Sequence, residues 1–418
     1  MSKVLSIIFL VVTCSAFYFP INFWAFPMVN TKMLLAAIGL VIFIFTRLQR
    51  RTFGFKPDLF WVLILGLGVS LWSYATTTYN LTVDYVYVTY FVSMAVWLGG
   101  AYCVISLMRK VHGEVSLKLV LHYMALMCAL QCVIALLMDN IPIFKEFIDS
   151  IVVADVEKLT ESNRLYGIGA SFDTAGIRFS CVLLGISYLF HNEQRRNYMT
   201  LYILLYLIIV VVGNMMSRTT IVGVAISIVY LVIVNHYNKA ITFKGIKYFV
   251  GISLLLLLFC GVIVHLYQTN AEVRSLLRYG FEGFFNFFEY GTWETTSSNL
   301  LFNGLNVLPT NSKTWLIGDG FFADPTNPGI FYMGIDMGYL RYIYYFGLVG
   351  LSLFILYFIV SSYVIYNRNT KLALFVFLLF VIQLVVWVKI PTDIFAFYAL
   401  LLLLTPNETA SSKEIIIH

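Results

Sequence analysis

The chain has 418 residues, of which 60% are hydrophobic and only 11% charged, whereas a soluble domain carries about 25% charged residues. So little polar surface cannot cover the chain in water, which excludes a soluble globular protein and makes lipid part of its solvent. The net charge of +6 does not point to nucleic acid, because the basic residues sit mostly in short connectors between apolar runs, where membrane topology places them.

Crossing the hydrocarbon core takes roughly 20 apolar residues as a helix. In chain order such runs fall at 3–19, 32–46, 59–76, 85–107, 118–138, 175–191, 198–213, 218–237, 247–267, 338–365, 371–388 and 392–405. They predict an all-α, polytopic transmembrane bundle of about twelve spans, one domain over 1–405. The first run ends in Phe17, Tyr18, Phe19 and Pro20 rather than in small residues around a cleavage site, so it reads as an uncleaved span. The runs 32–46 and 392–405 are short and could be half-spans or tilted helices.

The connector 47–56 carries Arg47, Arg50, Arg51 and Lys56, which marks it as cytoplasmic. Alternation then puts Arg109 and Lys110, Arg195 and Arg196, Lys239, Lys244 and Lys247, and Arg368 and Lys371 on that same side. The expected topology is N-in and C-in, with 406–418 as a cytoplasmic tail. The two long connectors fall on the outer side and are acidic: 141–174 has three basic and six acidic residues, and 268–337 three basic and seven acidic. The six cysteines (Cys14, Cys103, Cys128, Cys132, Cys181, Cys260) all lie in apolar runs without metal-ligand spacing and read as small buried hydrophobes.

Three arginines break the charge rule. Arg178, Arg218 and Arg341 each lie at or near the start of a run that goes from outside to inside. One such arginine commonly snorkels, but three at one depth point to function. The helix starts there add partial positive charge and free amides, with Ser217, Thr219, Thr220, Asp173 and Thr174 as cap-type side chains. Guanidinium forks suit phosphate, so a lipid diphosphate is the expected anion. In the long connector, Arg278 precedes an aromatic run from Tyr279 to Trp293, which predicts amphipathic helices lying on the membrane. Asp336 is the carboxylate nearest Arg341, a helix cap or a general base; Asp319 and Glu294 are weaker candidates for the same roles. Lys389 and Asp393 flank Pro391 and read as a structural ion pair.

At these residues the chain resembles the Wzy-type O-antigen and capsule polymerases, a superfamily shared with the O-antigen ligases. The resemblance rests on Ser217-Arg218-Thr219, on the glycine-rich stretch from Arg164 to Arg178, and on Gly318-Asp319-Gly320 followed by Asp336-Met337-Gly338-Tyr339-Leu340-Arg341 and Phe346-Gly347. It implies a metal-independent inverting glycosyltransferase without cofactor, acting on undecaprenyl-diphosphate-linked oligosaccharides at the outer face of a bacterial inner membrane. Membrane lipids and a chain-length regulator protein would be its other partners. Asp336, Arg341 and Arg218 would then be catalytic, and Arg178, Arg164, Arg278, Asp319 and Tyr339 would bind diphosphate or sugar. Ligases of the superfamily use a histidine in the large loop, and this chain has none between 268 and 337. That favours a polymerase over a ligase. A flippase for lipid-linked sugars would need a charged path across the membrane, and a scaffold would need no site.

Overall fold

The computed structural model describes residues 3–50, 57–153, 164–193, 195–237, 261, 264–304 and 307–410. The apolar runs become helices, in order α1 (Lys3–Tyr18), α2 (Thr31–Arg50), α3 (Pro57–Tyr79), α4 (Tyr90–His112), α5 (Leu117–Asn140), α7 (Phe172–Asn192), α8 (Arg196–Met216), α9 (Thr220–Tyr237), α14 (Gly338–Arg368), α15 (Ala373–Lys389) and α16 (Phe395–Leu403). Between them lie the shorter α6 (Pro142–Ile151), α10 (Ala271–Gly280), α11 (Glu282–Tyr290), α12 (Thr296–Gly304) and α13 (Ser312–Leu316), and α17 (Pro406–Ala410) closes the described chain. Among the described residues eight helices are long and apolar enough to cross a membrane, α2 to α5, α7, α8, α14 and the stretch ending in α15. The protein is thus an all-α polytopic membrane protein. The expected span 247–267 and the basic residues Lys239, Lys244 and Lys247 lie almost entirely outside the described residues.

Alternating helices bury one side and show lipid the other. On α2 the side chains Leu34, Ile38, Val41 and Phe45 are exposed, as a peripheral span requires. Its inner face packs on α4, where a Cβ on Gly39 would collide with the Gly99 carbonyl; small residues let two backbones touch in the absence of a hydrophobic drive between helices. The run 32–46, short in sequence, extends to a helix of 20 residues because polar flanks continue it.

Two segments depart from the simple reading. The run 392–405 yields α16, only nine residues, about 14 Å long and too short to span. Every one of its side chains from Phe395 to Leu402 is buried, which is the condition for irregular backbone at membrane depth. A two-stranded antiparallel hairpin, Asn22–Phe23 with Phe26–Asn30, joins α1 to α2; no alternating pattern announces it.

α14 is broken. Gly347 sits at φ 70 and ψ −176, so a short helix, Gly338 to Phe346, precedes the segment from Leu348, which at 1.5 Å per residue is about 30 Å long. The carbonyls freed at the break are capped from elsewhere. Asp319 N donates to Tyr344 O at 2.6 Å, Gly320 N to Tyr345 O at 3.0 Å and Trp72 Nε1 to Phe346 O at 2.8 Å. Helix-end carbonyls need such partners. Gly318, at φ 87, fits only because a Cβ there would lie 2.6 Å from Tyr345 C and O. The Gly-Asp-Gly turn and the Phe-Gly pair are therefore two halves of one contact.

The two ends of the bundle are distinct. At one, Arg109 pairs with Glu408, Arg368 with Asp58, and Lys118 donates to Asn192 O. Arg109 and Arg368, from two of the basic connectors, meet the segment 402–408 at this end. The opposite end holds the candidate site.

Candidate functional site

The starts of α7 and α9 and the end of α15 meet at Asp173. Its Oδ1 accepts from Ser217 Oγ at 3.1 Å, Thr219 Oγ1 at 3.0 Å and Lys389 Nζ at 3.1 Å. The ion pair expected between Lys389 and Asp393 is therefore replaced by one with a residue 216 positions away. Geometry decides it: Ile390 and Pro391 turn against Gly338, and Asp393 accepts instead from Phe395 N at 3.0 Å. Ser217 and Thr219, expected as helix caps, spend their hydroxyls on Asp173.

Arg164 and Arg218 come together on one ring. The Arg218 guanidinium lies 4.2 Å from the Tyr279 centroid and that of Arg164 5.0 Å. Arg218 Nε donates to Tyr279 O at 2.8 Å, and its Nη1 is ion-paired with Glu282 of α11. The Arg164 Nε is buried with no hydrogen-bond partner. Burial pushes the Tyr279 phenol up, against the pull of the two cations. Glu282 also accepts from Thr296 N and Thr296 Oγ1, and with Asn286, Tyr290, Glu294 and Asn299 it lines an open cleft of about 420 Å³.

Arg341 occupies a different setting. It is 5% exposed, with its guanidinium 3.4 Å from the Phe331 centroid and 4.1 Å from that of Phe322. Its Nε and Nη2 have no hydrogen-bond partner. The Phe322 loop is tied down by Asp84, whose Oδ2 accepts from Phe322 N at 2.7 Å and Ala323 N at 3.2 Å. Asp336 is within electrostatic reach of Arg341. The N-cap of α14 is Met337, without a side-chain cap hydrogen bond. Because α14 breaks at Gly347, Arg341 belongs to a short helix ahead of the long apolar segment and not to the first turn of the span itself.

Arg178 lies in a third setting. Its guanidinium is 5.8 Å from the Tyr18 centroid, 5.6 Å from Phe19 and 5.7 Å from Trp97, and Lys32 Nζ sits 4.3 Å from the same Trp97 ring. Arg178, Arg218 and Arg341 thus stand on three separate aromatic surfaces. Arg278 is ion-paired with Glu289 and donates to Tyr267 Oη at 3.3 Å, so its charge serves the α10–α11 contact. Asp319 accepts from Lys313 Nζ at 2.9 Å and Thr314 Oγ1 at 2.7 Å, and Tyr339 Oη donates to Leu384 O at 2.8 Å. These three hold structure in place. Among the described residues no three His, Cys, Asp or Glu side chains converge.

Sequence reasoning passed over Lys32. It opens α2 on the same side as the arginines, so the rule that found them also finds it. The partnerships of Asp84, Glu282 and Tyr279 have no sequence signal, since each acts across a long separation.

A helical membrane protein with arginines stacked on aromatic rings at one end is the class these features define. No family model, curated protein or solved structure matches the chain.

Proposed function

We propose that the chain polymerises undecaprenyl-diphosphate-linked oligosaccharide repeat units into O-antigen or capsular polysaccharide, as a metal-independent inverting glycosyltransferase at the outer face of a bacterial inner membrane. The orientation is the N-in, C-in one that the basic connectors favour. The observation that carries the reading is Arg341: a buried guanidinium with two N–H-bearing nitrogens that find no acceptor. Stacking uses the face of a guanidinium and is worth about 0.5–2 kcal/mol, less than the several kcal/mol that burying an ion costs. The unused edge matches the oxygens of a phosphate. In the reaction, that edge would stabilise the charge developing on the diphosphate leaving group, and Asp336 beside it is the candidate for taking the acceptor hydroxyl's proton. Arg164, Arg178 and Arg218 would hold the lipid-linked substrates, with Tyr339 and Asp319 shaping the walls.

The test is the lipid-linked product made in cells carrying Arg341→Gln or Arg218→Gln. Single repeat units should still reach the outer surface while long chains vanish. Units stranded at the inner face would favour a flippase, and long chains left unattached would favour a ligase. Undiminished chain length in both variants, at normal protein levels, removes the proposal.

A further inference from the structure

Between α2 and α7, on the Trp97 ring of α4, stand two cations, of which the proposed function uses only Arg178. Lys32 and Arg178 both stand against the indole of Trp97, and both are half-buried. Neither side chain has a hydrogen-bond or ion-pair partner among the described residues. The one acid among the described residues in electrostatic reach of both is Asp393, which can supply at most a single negative charge against the two positive ones. Beside Asp393 stands the buried Tyr90 hydroxyl. Two like charges brought together in a low-dielectric wall repel unless an anion joins them.

The surroundings say what kind of anion. Lys32 is the second residue of the most peripheral span, and the surface continuing down that span is apolar: Met33, Leu34, Ile38, Val41 and Phe45 are all exposed. A ligand with an anionic head and a hydrocarbon chain below it satisfies both halves at once. From this we infer that Lys32 and Arg178 form a lateral site for the phosphate of a lipid, with Trp97 as its floor and α2 as the track for its chain. The site is separate from the Arg341 setting, and in taking Arg178 as a ligand of lipid phosphate it extends, and rests on, the function proposed above. A phosphate group above a hydrocarbon chain is offered by a glycerophospholipid headgroup or by an isoprenyl phosphate carrier.

Native mass spectrometry of the detergent-purified full chain tests this with two probes, phosphatidylglycerol and farnesyl diphosphate. Lys32→Gln should weaken the preferred probe about tenfold, the loss of one charge-assisted contact. Lys32→Arg should bind within about twofold of the parent, and Lys145→Gln, a lysine on α6, should leave binding unchanged. Preference for phosphatidylglycerol identifies the headgroup as the source, and preference for farnesyl diphosphate the carrier. Lys32→Gln and Arg178→Gln proteins with the parent's circular dichroism that bind both probes like the parent would overturn the inference. So would displacement of the lipid by inorganic phosphate at equal concentration, since that would remove the role of α2. The readout is occupancy and not polymer length, so its failure is distinguishable from failure of the proposed activity.

Discussion

Replacing Gly347 by alanine probes the joint on which the Arg341 setting depends. At φ 70 and ψ −176 the backbone is in a region essentially reserved for glycine, and forcing a side chain there costs about 1–3 kcal/mol. The new Cβ would also run into Leu316 O and Leu316 C, which are backbone atoms and cannot swing away; overpacking of this kind costs a further 1–3 kcal/mol or so. The expected loss is therefore about 2–6 kcal/mol, with the caps on Tyr344, Tyr345 and Phe346 loosened at the same time. Gly68→Ala is the matched control. It lies in α3 with nothing within 4 Å of an added Cβ, and alanine in a helix interior is favoured over glycine by up to about 1 kcal/mol. Unfolding of the two variants in detergent, followed by heat and by denaturant titration, should place Gly347→Ala well below the parent and Gly68→Ala at or above it. Equal midpoints for the two would show that the break is not a fixed element, and the account of α14 would have to be withdrawn.

Two further outcomes follow from the ion pairs. Glu282→Gln removes the charge that occupies Arg218, a partly exposed pair worth on the order of 1 kcal/mol; hydrogen exchange across α11 should accelerate while α5 stays unchanged, and equal protection in both proteins would speak against the tie. At the other end, burial works to raise the Glu408 carboxyl, but its hydrogen bond with Arg109 and that from the Thr405 amide hold it below the usual range. A depressed carboxylate contributes stability above its unfolded value of about 4.3 that is lost as pH falls through the folded one. Proteolysis near Thr405 should thus rise on acidification below about pH 4, and Arg109→Gln should show the same susceptibility at neutral pH.

Much of the scaffold is legible because a span needs a long apolar run and little else: α3, α5, α7 and α8 begin and end within three residues of the runs that announce them. What composition cannot report is a dihedral angle. Gly347 looks like any glycine in an apolar helix until its φ is known, so the run 338–365 reads as one span and Arg341 as a charge inside it. Pairing across distance is equally silent. Lys389 has Asp393 four residues away, yet the chain brings Asp173 to it, and no local pattern distinguishes the two. The arginines are legible because they violate a side rule; Lys32 violates it too, but a lone lysine at a helix start is ordinary. The aromatic surfaces under these cations, Tyr279, Phe331 and Trp97, were hidden among 17% aromatic residues.

The brevity of α16 bears on how the protein is made. Its two Phe and four Leu at about −0.3 to −0.6 kcal/mol each offer the insertion machinery only a few kcal/mol, and the acidic Asp393 at its head works against even that. Such a segment cannot partition into the bilayer by itself as it leaves the ribosome. It acquires its place only once α4 and α14 have assembled a ready-made slot, so this segment enters late and does so as a guest of its neighbours. An internal deletion of α15, whose Trp387 and Gln383 fix the backbone at Thr392 and Ile394, should leave α16 stranded in water, a target for quality-control proteases.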